Sequence, residues 1–419
     1  MTQPPKPMSF PKLRPIDVRP FEEQGRPLLL VRDPLGLTDL SVVMPRVLAP
    51  LLGLLDGSRD AAALRAALLV RGGLNVPEDT IQQLIQHLDN ALLLDNARYK
   101  QARAEALRSF RAAPFRPPAL AGAGYPADAS ELKQVLDSYL ATANVTDSGG
   151  RETAPVVGLI SPHIDYQRGG PVYAQVWAAA ADAVRAADLA IVFGTDHNAT
   201  HSGLTLTHQS YATPYGILPT PRHIVDLLAA AVGEELAYAE EINHQREHSM
   251  ELAVTWLHHM RGGQPCQVLP ILCGTFQPFI EQRRSPADDP VLSAALEVLR
   301  QLIADGRVVV IAAADLAHIG PAFGDPFPVD YVRYLRLEAA DDHLMQTILQ
   351  GDAAAFYHTI AREENQRNVC GVAPIYMALQ ALGPGVSGAM AGYDRCPADA
   401  QNTSFVSICG VLFRESRSR

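Results

Sequence analysis

Residues 156–166 read VVGLISPHIDY, an apolar run that changes abruptly into polar side chains. Apolar side chains at successive positions are typical of a strand buried on both faces of a parallel sheet. Two later stretches repeat the pattern, LAIVFGTDH at 189–197 and VVVIAAADLAH at 308–318. Segments with helical periodicity separate these runs. The sequence therefore predicts an α/β fold, in which helices cover both faces of a mainly parallel sheet.

The remainder of the chain after residue 155 continues this alternation. Short β-rich runs predict strands at 156–160, 189–193, 267–272, 308–314 and 404–413. Apolar residues at helical spacing predict helices at 172–187, 221–232, 249–260, 289–304, 331–350 and 374–382.

The first 112 residues have a different pattern. Residues 1–20 are punctuated by proline and are expected to be extended. Helical periodicity predicts helices at 43–55, 60–70 and 78–94. We therefore expect a small, mainly helical, winged-helix-like domain at 1–112, a proline- and glycine-rich linker at 113–126 and the α/β domain at 121–419.

The composition excludes several classes of protein. The formal net charge is −10 and no run of Lys or Arg is present, so nucleic acid is not an expected partner. No apolar stretch approaches the ~20 residues of a membrane span, and the N-terminus has no apolar signal-peptide core. The five cysteines show no disulfide framework, which predicts a reduced, cytoplasmic setting. A homodimer is expected only from the frequency of dimers among soluble proteins.

Polar side chains follow three of the predicted strands. In an open parallel sheet, function collects beyond the carboxyl ends of strands, so these side chains are expected to converge. Two further segments carry reactive groups: Glu247 and His248 stand at a helix start, and Cys370 precedes a helix whose N-terminus would stabilise the thiolate. The strand-end residues are His163, Asp165 and Tyr166, then His197, Asn198 and His201, then Asp315 and His318.

Two histidines and a thiolate suit a transition metal, and three protein ligands leave coordination positions open, as in catalytic sites. The predicted ligands are His163, His197 and Cys370. Four groups are predicted to act in catalysis, by moving protons or orienting ligands: His248, Glu247, Asp315 and His318. Five residues are predicted to line the substrate pocket: Asp165, Tyr166, Arg168, Asn198 and His201.

Five segments carry a resemblance to a known family. SPHIDYQRGGPVYA (161–174), FGTDHNATHSG (193–203), HQREHSME (244–251), AADLAHIG (313–320) and NVCGVAPI (368–375) resemble, in this order, signature segments of the Memo family. The resemblance includes the bacterial members called AmmeMemoRadiSam system protein B and extends from about residue 121 to 413. The N-terminal region is weakly similar to PqqD-like peptide-recognition domains.

The resemblance implies a fold like that of class III extradiol dioxygenases. It also implies that the metal ligands fall on His163, His197 and Cys370 and that His248 serves as the acid/base. The expected function is that of a redox metalloenzyme, dioxygenase-like, with Fe(II) as the first candidate metal and Cu or Zn as others. The substrate would be a small polar aromatic or peptide-derived molecule.

The sequence departs from the family pattern at three positions. Asp165 replaces a small residue, Arg168 stands where an aromatic is usual, and Ala314 replaces a serine. Because Asp165 and Arg168 add charge near the pocket, a polar or anionic substrate group is expected.

Three other functions fit parts of the pattern. HQREH (244–248) matches the H-x-x-E-H motif of inverted zinc proteases, which requires both histidines on one helix. A thiol hydrolase or transferase could use Cys370 with a nearby histidine. A non-catalytic protein could bind metal and peptide and work with a radical-SAM partner through the N-terminal domain.

Overall fold

The structure is a computed structural model that describes residues 10–143 and 154–415. The chain forms two compact units, residues 1–112 and 113–419. Residues 1–9 of the predicted extended lead-in lie outside the described part. No helix within the described ranges is both long and apolar enough to cross a membrane.

The first unit combines a small antiparallel sheet with helices. Its sheet has the order β1-β2-β3, and α1, α2 and α3 bury Leu51, Leu64 and Leu88 in the same core. The elements are β1 (Asp17–Glu23), β2 (Arg26–Arg32), β3 (Ser41–Pro45), α1 (Ala49–Leu54), α2 (Ala61–Gly72), α3 (Glu78–Asn90) and α4 (Ala97–Ala112).

Two predictions for this unit were wrong in detail. Residues 43–55 were predicted as one helix, but β3 occupies the first part, because Val42 and Met44 are buried while Val43 is exposed, a strand alternation. The helix predicted at 78–94 ends at Asn90. Leu92 has a φ of 56°, a left-handed conformation that cannot continue a right-handed helix. The unit is therefore less helical than expected.

The second unit is built on an eight-stranded sheet. Strands β4, β10, β5 and β9 lie side by side and are parallel. Antiparallel strands flank them, β6 beside β9 and β13 beside β4, with β11 and β12 paired to β13. The strands are β4 (Val156–Ser161), β5 (Leu189–Thr195), β6 (Leu204–Leu206), β9 (Gln267–Cys273), β10 (Val308–Ala313), β11 (His318–Ile319), β12 (Val386–Pro397) and β13 (Phe405–Glu415), with β7 (Tyr211–Thr213) and β8 (Gly216–Leu218) as a separate hairpin.

Helices cover both faces of this sheet, as predicted. Alternate strand residues enter opposite cores, so that Leu159 packs in one cluster and Ile160 in the other. The helices are α5 (Ala129–Thr142), α6 (Tyr166–Ala179), α7 (Ala181–Ala186), α8 (Arg222–Val232), α9 (Glu234–Ala237), α10 (His248–Met260), α11 (Gln277–Glu281), α12 (Pro290–Asp305), α13 (Tyr331–Leu349), α14 (Ala353–Arg362) and α15 (Val372–Leu382). Leucines and valines of α5, α6 and α10 pack on one face, and those of α8, α12 and α15 on the other.

The segment predicted as a linker, 113–126, is packed into the second unit. Arg116 is completely buried and ion-pairs with Glu251 of α10. The Arg116 guanidinium also donates hydrogen bonds to the carbonyl oxygens of His244 (3.0 Å) and Glu247 (3.2 Å). This arginine therefore fixes the chain that leads into α10.

Candidate metal centre

Three strand ends bring the candidate ligands together. His163 follows β4 by two residues, His197 follows β5 by two, and Asp315 follows β10 by two. Because β10 lies between β4 and β5, Asp315 emerges between the two histidines. The site thus forms at the carboxyl edge of the parallel strands, where the sequence predicted it.

Three histidines form a group that could hold a metal ion. One ring nitrogen from each of His163, His197 and His248 lies within 4.8 Å of the others. The His197 and His248 rings stack with centroids 4.5 Å apart, and the His163 ring meets both edge-on. His163 is buried while His197 is exposed, so the group is accessible from one side.

Hydrogen bonds fix the orientation of two of these rings. His163 Nδ1 lies 3.0 Å from the carbonyl oxygen of Ala313, which can only accept, so Nδ1 carries a proton and Nε2 is the nitrogen that could bind a metal. His197 Nδ1 lies 2.9 Å from Glu247 Oε1, which has the same consequence. Metal-bound histidines commonly donate the other ring N–H to a carbonyl or carboxylate in this way. The two Nε2 atoms are therefore prepared to bind a metal.

Cys370 lies beside the histidines. Its Sγ is 3.2 Å from His163 Nε2, and the residue stands two positions before α15. Burial by itself would raise the pKa of the Cys370 thiol, but the positive charges of His163 and His318 and hydrogen bonds from His163 and His197 lower this pKa to about 5. The group is thus a thiolate at neutral pH, the form that binds metals.

His163 has the opposite shift. Burial would lower the pKa of its imidazole, but the Asp315 carboxylate and the Cys370 thiolate raise it to about 9. Without a metal, the two side chains therefore form an imidazolium–thiolate pair. A cation bound at Nε2 must replace a proton there.

Glu247 connects two of the histidines. The side chain caps α10 by accepting from Ser249 N (2.9 Å), and it also accepts from the backbone N–H of His197 (3.1 Å). Its Oε1 lies 3.2 Å from His248 Nδ1. Although burial opposes ionisation, the positive charge of His197 and hydrogen bonds from His197 and the Ser249 N–H hold the pKa of Glu247 well below its usual range. A single buried carboxylate thus sets the positions of two rings.

A family model described as Memo-like protein matches residues 116–410. This chain belongs to the Memo family. Three relatives are each named MEMO1 family protein. One from Aquifex aeolicus is 26% identical over 321 residues, covering 76% of this chain and 78% of the relative. Another from Methanococcoides burtonii is 28% identical over 269 residues, covering 64% and 87%. A third from Archaeoglobus fulgidus is 25% identical over 301 residues, covering 72% and 100%.

Asp315 and His318, predicted as catalytic in this Memo-family chain, occupy different environments. Asp315 is buried, and its Oδ1 accepts from the backbone N–H of His163 at 2.8 Å. Its Oδ2 lies 3.6 Å from His163 Nε2. The His318 ring bonds to the Leu316 carbonyl and packs against Phe323. Asp315 therefore holds the backbone of His163, whereas the positive charge of His318 helps to lower the pKa of the Cys370 thiol.

Tyr166 does not line a pocket as predicted. It is fully buried, its hydroxyl donates to the Leu252 carbonyl at 2.8 Å, and its ring packs against Tyr125, Tyr173 and Trp256. The prediction failed because the helix α6 begins at this residue and turns it into the core.

The other four predicted pocket residues are engaged locally. Asp165 caps α6 and ion-pairs with Arg168 at 2.7 Å. The backbone N–H of Asn198 donates to Asp196. His201 lies 3.2 Å from Glu240. None of the five predicted residues belongs to the described residues that line the cavity beside His197 and Cys370.

That cavity, of about 240 Å³, has a lining that the sequence prediction missed. It is formed by the loop after β9, including Thr275 and Phe276, and by the segment before α15, including Asn368 and Val369. The signal that could have found it is the end of a fourth predicted strand, 267–272, after which Gly274 and Thr275 begin a loop.

The inverted zinc protease motif is not assembled. His244 lies in a short 3-10 helix, Glu241–Gln245, and only His248 belongs to α10. Both ring nitrogens of His244 are used, Nδ1 with the Tyr211 hydroxyl (2.7 Å) and Nε2 with the Thr205 carbonyl (3.0 Å). No nitrogen is left for zinc.

Proposed function

We propose that this Memo-family protein is a redox metalloprotein whose ion is bound by His163, His197 and Cys370. The observation that carries the proposal is the pair of histidines whose Nδ1 atoms are held by a carbonyl and a carboxylate oxygen, with Cys370 Sγ 3.2 Å from His163 Nε2. Imidazole and thiolate together favour transition metals over Mg²⁺ or Ca²⁺. Fe(II) is the first candidate, with Cu and Zn as alternatives. Bound Fe(II) would supply dioxygenase-like redox chemistry, in which the electrons that reduce O₂ come from the oxidised substrate.

His248 is the proposed proton acceptor. Burial lowers the pKa of its imidazole to about 4, although the Glu247 carboxylate opposes this shift. The ring is therefore neutral at pH 7 and able to take a proton from a substrate placed beside the ion. Its exposure is intermediate, between those of His163 and His197.

Metal content tests the ligand set. The parent and the variants His163→Ala, His197→Ala, Cys370→Ser and His248→Ala would be loaded anaerobically with Fe(II) or Co(II), and the bound metal measured. We expect the first three variants to lose most of their metal and His248→Ala to retain it. A matched control is His208→Ala, which removes a surface histidine paired with Asp226.

Two outcomes would contradict the ligand set. If the parent takes up neither metal, the proposal of a metal centre is wrong. If His248→Ala loses metal and Cys370→Ser keeps it, the ligands are instead the three histidines. Oxygen uptake by the iron-loaded parent with a panel of catechols tests the reaction separately, because its absence removes the dioxygenase assignment and leaves the metal site intact.

Thiol chemistry is the second candidate, and the pairing of Cys370 with His163 favours it. A thiolate beside an imidazolium is also the arrangement of thiol hydrolases. That function predicts activity without metal on thioesters or activated esters, abolished by Cys370→Ser. Inhibition by added Zn²⁺ would support it, and an activity that requires metal would exclude it.

For the first unit we propose binding of a peptide or of a radical-SAM partner. The supporting observation is the β3 strand at one edge of the β1-β2-β3 sheet, where Val43 is 53% exposed. An edge strand can pair with an extended peptide. Co-purification of the full chain with radical-SAM proteins of its own cell, compared with a Val43→Lys variant, tests this. Recovery of the same amount of partner with the parent and with Val43→Lys would contradict binding at the β3 edge.

A further inference from the structure

The cavity beside the metal centre adjoins a second one. Ile280 of α11 lines both, and the consecutive residues Glu364 and Asn365 line one each. The second cavity has a volume of about 500 Å³ and is open at the surface. A ligand in contact with His197 could therefore extend along Ile280 into the second cavity.

Three arginines that form no ion pair among the described residues line the second cavity. Arg283, Arg284 and Arg362 are exposed, and among residues 10–143 and 154–415 none of their guanidinium groups forms an ion pair. Arginines elsewhere in the second unit are commonly paired, as Arg307 is with Asp188. In a chain of net charge −10, these three unpaired guanidinium groups outnumber the two carboxylates that line the same cavity, Asp288 and Glu364, so the lining carries a net positive charge. Guanidinium groups match the geometry of carboxylate and phosphate.

The backbone holds these arginines in place. Arg283 has a φ of 54°, at the position after a helix where glycine is usual because a Cβ makes this conformation unfavourable. The Arg284 N–H donates to the Phe279 carbonyl at 2.9 Å, which closes the turn. The Tyr357 hydroxyl of α14 donates to the Arg284 carbonyl at 2.7 Å. Since α14 also carries Arg362, this bond ties the two sides of the cavity together.

We propose that the substrate of the metal centre carries a carboxylate or phosphate that binds Arg283, Arg284 and Arg362. Its uncharged part occupies the first cavity, whose lining contains no Lys or Arg and includes Phe276, Ile280 and Val372. The inference rests on the proposed function. It moves the expected anion site away from Arg168, whose charge is neutralised by Asp165.

Phosphate binding to the metal-free full chain tests the anion site by itself. Inorganic phosphate would be titrated calorimetrically into the parent, into Arg283→Gln/Arg362→Gln, and into the matched control Arg307→Gln/Arg333→Gln, which removes two exposed, paired arginines. We expect the first double variant to bind about tenfold more weakly, since charge-assisted hydrogen bonds are lost. The control should bind like the parent. No binding by the parent, or an equal loss in both variants, would overturn the proposal.

A charged and a neutral probe test the connection to the metal centre. The metal-loaded parent should bind 3-(3,4-dihydroxyphenyl)propionate more tightly than its methyl ester, with a change in the metal's absorption spectrum. Arg283→Gln/Arg362→Gln should remove this preference and keep the spectrum of the loaded metal. A preference that survives in the variant would overturn the connection. A chain that binds phosphate at the arginines but takes up no metal would overturn the proposed function and leave the anion site standing.

Discussion

Cys370 shows how a single residue depends on its neighbours. Its thiol contacts the His163 imidazole. The thiolate raises the pKa of the imidazole, and the imidazolium lowers the pKa of the thiol. The reactivity of this cysteine is therefore a property of the pair. The other four cysteines are buried and free, and where the pKa of their thiols shifts it is raised by burial.

The pH dependence of alkylation would reveal this pair. In the metal-free protein we expect iodoacetamide to modify Cys370 at a rate that is half-maximal near its pKa of about 5. Because only the thiolate reacts, the rate should be constant above that pH and fall about tenfold per unit below it. His163→Gln should move the midpoint upward. Bound metal should protect the thiol. A parent midpoint near the ordinary value of about 8.5 would contradict the pairing.

Glu247 is expected to affect metal binding through the positions of the two histidine rings that it contacts. Glu247→Gln keeps the shape of the side chain but removes the charge that orients His197 and His248. We expect metal affinity to fall about 10- to 100-fold, as for other groups that orient metal-bound histidines. Metal titration monitored by Co(II) absorption measures it. Glu105→Gln, at an exposed ion pair of the first unit, is the control. Unchanged affinity in Glu247→Gln would show that the rings are held by other contacts.

At the scale of elements, the strands that carry the site were predicted best. β4, β5, β9 and β10 are buried on both faces and so consist of continuous apolar runs, which a sequence shows directly. β12 was missed because few of its residues are buried and because it contains glycine and charged residues. The start of α6 was placed too late, because GGP suggests a break. Gly170 is required there, since a Cβ would lie 2.5 Å from the Tyr139 ring.

The start of α10 yields a prediction about stability. Arg116→Met leaves Glu251 buried without its ion-pair partner and frees the carbonyls of His244 and Glu247. We expect a loss of about 3–5 kcal/mol in the free energy of unfolding, as for other broken buried pairs. Arg307→Met, which breaks an exposed pair, should cost about 1 kcal/mol or less. Denaturant unfolding measures both.

The double variant Arg116→Met/Glu251→Gln provides the internal check. Because the two residues interact, its loss should be smaller than the sum of the single losses. Additive losses would mean that the pair contributes through separate contacts. Metal affinity should fall in Arg116→Met as well, since the arginine holds the backbone next to His248.

At the scale of the whole molecule, the ligands all belong to the second unit, residues 113–419. Metal binding should therefore slow amide hydrogen exchange in peptides of that unit and leave those of residues 10–112 unchanged. The stabilisation should be about 2.7 kcal/mol at a free metal concentration roughly 100 times the Kd. Mass spectrometry with and without a chelator measures it. Equal protection in both units would show that the units are energetically coupled.

The sequence alone determined the alternation of strands and helices, the placement of His163 and His197 at strand ends, and the family resemblance. These features follow from local patterns, because a strand that is buried on both faces consists of consecutive apolar residues. Only the tertiary structure decided what surrounds the ligands. Cys370 meets His163 across 207 residues, and Arg116 meets Glu251 across 135. Contacts of that separation leave no local pattern. Only the folded chain therefore shows which residues line the cavity. It also shows that residues 113–126, predicted as a linker, hold the start of α10 through Arg116.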